Sequence, residues 1–397
     1  MLTDLIERQR GKLSVYGHPA TATRVVVSPY RICPIGAHSD HQYGPVLGMA
    51  VSAHTLLAFA PAESSEVRIT SENYSGELRF DLRRPRAGES SNTQWGRYAR
   101  AAAQALSDRL PAPPRGITGV IVGALPGGGL SSSASVILSY VCALAEVNGL
   151  ELSPSEMVSV ALRAERDHVG VSVGILDHAA IVGAQRGHLL SIDTREVSWQ
   201  ALPLGSSAPD ARILVVFTGI SRNLAKTGYN QRVNQCFSAA RRLATLAGKP
   251  NARALGDFTD AEWRIYEERL PPDERNRSRH FYGERSRVQQ GIELWKKGDL
   301  VTFGRLMSAS CESSISNYQT GSKELIKLQD ILVETPGVYG ARFSGAGFGG
   351  CSVALVAADE AERIRSHVEQ TFKSLFPQHA ERARAFLVES EDGVRIV

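Results

Sequence analysis

Roughly the first 120 residues alternate between apolar and polar positions with strand-like spacing, and helical spacing takes over beyond them. Thr23 to Ser28, Val46 to Ala58, the alternating Glu66 to Ser71 and Glu77 to Asp81 read as strands. A helix is predicted around Trp95 to Leu110, closed by Pro111, Pro113 and Pro114. Gly119 to Leu125 reads as a short apolar strand that runs into Pro126, Gly127, Gly128 and Gly129. Apolar residues at Val136, Tyr140, Val141 and Leu144 then predict a helix from Ser132 to Val147, stopped by Gly149. The next helix carries its own start signal: Ser153 as N-cap, Pro154 in the first turn and Glu156 closing a capping box. It runs to about His168 and stops before Gly170.

Around Leu202 to Asp210 the chain becomes rich in Gly, Ser and Pro, which marks a domain boundary near residue 205. Beyond it come a buried strand, Ile213 to Gly219, and several charged helices. A final unit follows: strand Gly340 to Phe343, a glycine loop, strand Ser352 to Val356, helix Glu360 to Phe376 and strand Ala385 to Glu389. Strands interleaved with helices predict an α+β architecture with an N-terminal domain at 1–205 and a C-terminal domain at 206–397. The boundary is soft, because the last strand can pair back into the N-terminal sheet.

The length of 397 residues fits two cores, and with 43% hydrophobic and 22% charged residues nothing in the composition points to extended disorder. A formal charge of +4 is small and suits a protein that handles anionic nucleotides, with no membrane partner. The densest basic patch, Arg275, Arg277, Arg279, Arg285 and Arg287, is interleaved with Asp273, Glu274 and Glu284; it reads as a helix with a solvated charged face rather than a nucleic-acid site. Five scattered cysteines without a CxxC indicate neither a disulfide framework nor a zinc site. The first ten residues carry no apolar signal core and no 18-residue apolar run occurs, so a reducing, cytoplasmic setting is expected.

The strongest chemical signal is Leu125 to Ser135. Gly127, Gly128 and Gly129 let the backbone approach a phosphate and open a helix whose free N–H groups favour an anion, while Ser131, Ser132 and Ser133 offer hydroxyls to phosphate oxygens and a magnesium ion. No GxxxxGK[ST] P-loop exists in the chain. A second loop, Gly345 to Gly350, satisfies G-x-G-x-x-G, but the next residues, Cys351 to Val356, form a strand, so a dinucleotide-binding domain is not expected. A tight hairpin, or a lid over bound phosphates, is.

These two loops resemble the second and third signatures of the GHMP kinase superfamily. The first signature is similar to Ser28-Pro-Tyr-Arg-Ile-Cys-Pro-Ile-Gly-Ala-His-Ser-Asp-His41, which resembles the galactokinase segment A-P-G-R-V-N-L-I-G-E-H-T-D-Y. Gly174-Ile-Leu-Asp-His178 resembles G-I-M-D-Q, and Gly187 to Asp193, Phe303 to Met307 and Tyr318 to Leu325 resemble further galactokinase segments in the right order. The resemblance implies a ribosomal-S5-like N-terminal domain and a ferredoxin-like C-terminal domain, with ATP and sugar meeting between them.

It also implies roles. Asp177 and Arg31 become the catalytic pair at the anomeric hydroxyl, with Asp177 acting either as general base or as an electrostatic partner. Gly127 to Ala134, including Leu130, with Gly345 and Gly347, become the ATP-binding loops. Ser133 and Glu165 become the Mg²⁺ ligands; Glu165 shares an apolar helical stripe with Val158 and Leu162, so it needs a partner, and a buried salt bridge is the alternative. His38, Asp40, Gly174 and Tyr229 become sugar-pocket residues.

The departures from galactokinase cluster at the sugar. Ala37 replaces the glutamate that grips the C6 hydroxyl, Tyr30 replaces a glycine, and His41, Gln42 and Tyr43 follow Asp40. Two like charges at about 4 Å and an effective dielectric of about 20 repel by roughly 4 kcal/mol, enough to exclude a C6 carboxylate; alanine removes that barrier. The segment resembles the galacturonokinase branch and implies a D-galacturonate 1-kinase, with Tyr30, Tyr43 and Lys226 as candidates for meeting the carboxylate. Galactokinase activity is the alternative, and a catalytically silent sugar and ATP sensor is the alternative of another class.

Overall fold

The computed structural model describes residues 2–85, 94–125, 128–221 and 228–397. Among the described residues twelve strands form two sheets. The first holds β1 (Arg24–Ile32), β2 (Val46–Pro61), β3 (Glu66–Ser71), β4 (Glu77–Asp81), β5 (Ile117–Gly123), β6 (His188–Asp193) and β7 (Ser198–Pro203), and is completed by a two-residue strand at the C-terminal end, Arg395–Ile396. The second is antiparallel and contains β8 (Ala211–Phe217), β9 (Val338–Phe343), β10 (Cys351–Ala357) and β11 (Arg384–Val388) in the order β11-β8-β10-β9. Thus β11 belongs to the second sheet, and it is the short strand after it (β12) that pairs antiparallel with β1, Val26 opposite Ile396.

The helices are α1 (Leu2–Lys12), α2 (Arg97–Leu106), α3 (Ser132–Val147), α4 (Pro154–Arg163), α5 (Leu176–Val182), α6 (Tyr229–Leu246), α7 (Asp260–Tyr266), α8 (Pro272–Lys297), α9 (Leu300–Ser316), α10 (Lys323–Glu334) and α11 (Ala361–Leu375). Capping follows the sequence closely at α4, where Ser153 accepts from Glu156 N and Glu156 reaches back to Ser153 N. The chain continues past Arg163 as one wide π-helical turn, Ala164–Val169, and Gly170 ends it in the left-handed conformation at φ 83°. π-Turns recur at functional sites, and this one carries Glu165.

Three features of the fold build the site. A register shift between Pro29 and Tyr30 in the β1–β2 ladder places a proline where an inner strand tolerates one and re-aims the residues after it, Arg31 among them. Both sheets contribute to one apolar core: Tyr30, Ile32, Leu47, Met49 and Val51 pack with Val215, Phe217, Val353, Trp295 and Phe303. Finally, the two glycine loops press on each other. A Cβ at Gly350 would lie 2.8 Å from Gly128 O, one at Gly345 2.9 Å from Gly129 O, and one at Gly129 3.1 Å from Cys351 N. The glycines therefore allow main chain to meet main chain, whatever else the loops bind.

The basic stretch on α8 corrects the expectation of a solvated face. Arg277 is buried, donating from Nε to Gln235 Oε1 (2.9 Å), from Nη1 to Asn317 O (2.5 Å) and from Nη2 to Gln319 Oε1 (2.8 Å). Glu274 and Glu284 are buried as well. Arg275 pairs with Glu268, Arg279 with Glu267 and Glu268, Arg285 with Asp260 and Arg287 with Glu284. These charges knit α6, α7, α8 and the end of α9 together.

Candidate active site

A cavity of about 1080 Å³ opens where the glycine loops, α5 and the end of β1 with the segment after it converge. At its centre the Arg31 guanidinium donates from Nε to Asp177 Oδ1 at 2.8 Å, and Ser131 donates to Asp177 Oδ2 at 2.5 Å. Arg31 Nη1 reaches Ser344 Oγ at 3.4 Å, so the pair touches both glycine loops. Asp177 sits in the first turn of α5. Burial pushes its carboxyl up, but the Arg31 guanidinium and the Ser131 hydroxyl outweigh it and hold the group below the usual carboxylate range. Ser131, the residue before α3, is held at φ 56°, a conformation that costs a non-glycine residue of order 1–3 kcal/mol and persists where surroundings enforce it.

One wall lies beyond this pair, against α8 and α9. Asp40 accepts from Leu176 N at 3.2 Å, and Gly174 permits the approach: a Cβ there would come 2.0 Å from Asp40 Oδ2. His38 stacks on Tyr318 with centroids 4.4 Å apart and planes 5° apart, and Tyr229 stands 6.2 Å away. Burial, with His280 and Arg342 adding to it, holds the His38 imidazole well below its ordinary value and therefore neutral. His280 spans Ala37 O and Ser313 Oγ, each at 2.9 Å, and burial lowers it to about 4. A neutral ring that donates from Nε2 and accepts at Nδ1 satisfies both contacts.

The opposite wall is formed by Ser132, Ser133, Gly129, Gly345, Gly347 and, farther out, Tyr74, Trp95, Arg97 and Tyr98. Ser133 donates to Glu165 Oε1 at 2.8 Å. Glu165 Oε2 is buried without a hydrogen bond and faces His178 Nε2 at 3.1 Å.

The structure thus brings Arg31, Ala37, His38, Asp40, Gly174, Asp177, Tyr229, Ser131, Ser132, Ser133, Glu165, Gly129, Gly345 and Gly347 to one cavity. Leu130 and Ala134 are buried beneath it; Leu130 O accepts from Arg31 N at 3.3 Å. The carbonyl of Gly128 packs closely against Gly350 of the second glycine loop. Gly127 and Lys226 lie outside the described residues.

Two expected sugar contacts are placed differently. Tyr30 is fully buried; it borders the cavity, but its hydroxyl accepts from Leu125 N at 3.3 Å, ahead of the first glycine loop. Tyr43 does not line the cavity. Its backbone turns left-handed at φ 60°, which swings the ring outward to 40% exposure beneath Arg195.

The folded arrangement also shows residues that the sequence reading passed over: His280, Tyr318, Arg342 and the aromatic group Tyr74, Trp95 and Tyr98. Of these, Tyr318 opens a segment already noted for its resemblance and Trp95 opens a predicted helix, while Arg342 left a different signal, a charge in an otherwise apolar strand.

Two sheets, a cleft between glycine loops and a buried Arg–Asp pair define a small-molecule phosphotransferase of the two-domain kind. The model of GHMP kinases N terminal domain matches residues 97–184 and that of GHMP kinases C terminal matches residues 292–374. The chain is 36% identical to "Galacturonokinase" of Arabidopsis thaliana over 96% of its own length and 95% of that protein. It is also 36% identical to "Galactokinase" of Chloroflexus aurantiacus, with 87% of each chain covered. Lactococcus lactis galactokinase, solved with galactose, superposes with a TM-score of 0.87 at 27% identity over 99% of both chains. Methanococcus jannaschii mevalonate kinase shares the fold with a TM-score of 0.66 at 16% identity, covering 93% of this chain and 98% of that one. The chain belongs to the GHMP kinase superfamily and, within it, to the galactokinase family, and it is a sugar kinase.

Proposed function

We propose that the protein transfers the γ-phosphate of ATP to the anomeric hydroxyl of D-galacturonate, giving galacturonate 1-phosphate. The observation that carries this reading is the floor of the sugar wall: Ala37, 5% exposed, stands beside His38 where a carboxylate side chain would repel a C6 carboxylate. The match to a galacturonokinase along nearly the whole chain supports it. Plain galactokinase activity is the second reading, favoured by equal identity to a bacterial galactokinase.

Asp40 and His38 orient the sugar through its hydroxyls, with Tyr229 closing the pocket. Asp177 holds the attacking hydroxyl. Because Arg31 and Ser131 keep its carboxyl ionised, Asp177 accepts the proton late, as charge passes to the phosphoryl oxygens. Arg31 bridges the carboxylate and the arriving phosphoryl group and offsets the charge that develops there.

ATP fits the other wall. The N–H groups at the start of α3 and the glycine loops offer donors to the phosphates, and Tyr74, Trp95 and Tyr98 provide aromatic faces for the base. Among the described residues no group of three His, Cys, Asp or Glu side chains could hold a metal by itself. A magnesium ion shared with phosphates needs only one or two protein oxygens, and Glu165, whose Oε2 has only the His178 ring at 3.1 Å beside it, fits that donor set together with Ser133 Oγ. Mg²⁺ there supplies charge neutralisation of the phosphates. The domains would divide near residue 205, and the setting would be the cytoplasm, with a small sugar acid as partner and neither nucleic acid nor membrane; among the described residues no helix is long and apolar enough to cross a membrane.

The test is ADP release with Mg-ATP against D-galacturonate, D-galactose and D-glucuronate. A preference of tenfold or more in kcat/KM for galacturonate, about 1.4 kcal/mol at the transition state, is expected. A galactose preference overturns the substrate and leaves the kinase. No turnover of any sugar would favour a silent sensor.

A further inference from the structure

Two consecutive residues of β1 hold the two ends of the first glycine loop. The Tyr30 hydroxyl accepts from Leu125 N at 3.3 Å, and Arg31 N donates to Leu130 O at 3.3 Å. Leu125 precedes the glycines and Leu130 follows them. Both leucines are buried and share one apolar cluster with the Tyr30 ring and with Cys351, the residue that closes the second glycine loop. Farther along, Ser135 Oγ in α3 donates to Ser28 O of β1 at 2.9 Å. The strand that carries Arg31 therefore grips the loop at its start, at its end and through the helix behind it.

The two grips on the loop differ in kind. Main chain makes the one at Leu130, so any residue at position 31 except its own side chain is irrelevant to it. A side chain makes the one at Leu125, and the galactokinase segment that Ser28 to His41 resembles has glycine where Tyr30 stands. Glycine offers neither the ring nor the acceptor. Ala124 N is already spent on His54 O at 3.0 Å, so Leu125 N is the next main-chain donor before the glycines. Without the Tyr30 oxygen it would be a buried N–H with nothing to donate to, which is costly enough to move the chain. Burial pushes the Tyr30 hydroxyl up to about 12, so it stays a neutral phenol wherever the enzyme is assayed.

We propose that Tyr30 is a positioning residue for the first glycine loop: it accepts from Leu125 N, shares a core with both flanking leucines, and so sets where the loop meets the nucleotide phosphates. This rests on the reading of the glycine loops as the phosphate site. Tyr30 thus acts on ATP although it stands in the segment that supplies the sugar wall, and it does so without touching either substrate. Because a Cβ at Gly129 would lie 3.1 Å from Cys351 N, a shift of the first loop is passed to the second as well.

The test compares the wild type, Tyr30→Phe and Gly129→Ala in the KM for Mg-ATP, the KM for the sugar and the calorimetric affinity for Mg-AMPPNP. Phenylalanine keeps the ring and removes only the acceptor. Tyr30→Phe is expected to raise the KM for Mg-ATP by about five- to tenfold and to weaken Mg-AMPPNP in step, with the sugar KM within about twofold of wild type. Hydrogen exchange at the Leu125 amide should be slow in the wild type and faster by about tenfold or more in Tyr30→Phe. If Gly129→Ala leaves both nucleotide constants unchanged, the loop is not the phosphate site, and that reading fails together with this one. If Gly129→Ala weakens the nucleotide and Tyr30→Phe does not, or if Tyr30→Phe raises both KM values alike, Tyr30 is a core residue only and the proposal alone is overturned. A Leu125 amide that exchanges freely in the wild type also overturns it, and decides the matter should the variant not fold.

Discussion

The nucleotide wall of the cavity is built largely from main chain, whereas the sugar wall is built from side chains that are themselves held by further side chains. On the first, Gly129, Gly345 and Gly347 adopt φ of 84°, 70° and 76°, and their backbones pack against one another. On the second, His38 lies on Tyr318, Ala37 is tied through its carbonyl to His280, and Glu284 gathers Arg287, Ser310 and Gly36. Phosphates are the same in every nucleotide, so a wall of N–H groups serves. A sugar is distinguished by the direction and charge of its substituents, which only side chains can read.

Where the walls meet, a side chain of the second kind acts on the substrate of the first, and the largest effect is expected there. Asp177→Asn is expected to lower kcat by about 10³-fold, in the range found when a positioned acid–base group or charge stabiliser is lost. The dissociation constants of both substrates should move far less. Calorimetry and single-turnover rates check this; a collapse of sugar binding without loss of kcat would make Asp177 a binding residue and dissolve the boundary between the walls.

Two alanine insertions sharpen the contrast. Gly174→Ala puts a methyl 2.0 Å from Asp40 Oδ2 and displaces the carboxylate from the sugar. Losing one hydrogen bond to a charged group, about 1.5–3 kcal/mol, raises the sugar KM by roughly 10- to 100-fold. Gly129→Ala strains a left-handed residue by roughly 1–2 kcal/mol and pushes the first glycine loop from the second, so the KM for ATP should rise by roughly tenfold. Each variant is expected to leave the other substrate's KM within about threefold. Parallel changes in both constants would break the division of labour.

The same division explains what the chain disclosed before folding. Main-chain walls need contiguous glycines, so both loops stood out, as did the capping box that starts α4 and the carboxylate on the apolar stripe at Glu165. The β9–β10 hairpin around the second loop was legible for the same reason. Side-chain walls are assembled from distant segments. His280 meets Ala37 across 243 positions, and no local pattern encodes that contact. Arg277 shows the converse: the spacing predicts a charged helix, but only α6 and the end of α9 make its guanidinium a buried clamp. Tyr43 failed because a single left-handed residue reverses the direction of a side chain.

The smallest predicted effect concerns the pH range in which the sugar wall stays in place. Two of its buried histidines, His41 and His280, are perturbed in opposite senses. Burial lowers His41, but Asp40 and Cys236 outweigh it and push it up to about 9, against an ordinary 6.5. Burial brings His280 down to about 4. Between pH 6.5 and 9 the folded protein keeps a proton on His41 that the unfolded chain has released, so this contribution is complete below 6.5 and is lost as pH rises through 9. Between pH 4 and 6.5 the unfolded chain protonates at position 280 while the folded protein does not, so stability falls as pH falls through that window. The two effects place the best pH for the wall near 6.5, and thermal melting should decline by about a few degrees on either side. His41→Asn should flatten the alkaline limb and leave the acid limb intact. His280→Gln, which can still donate to Ala37 O, should do the reverse. If both variants flatten the same limb, the opposite perturbation of the two rings is wrong, and the sugar wall titrates as one unit instead of two.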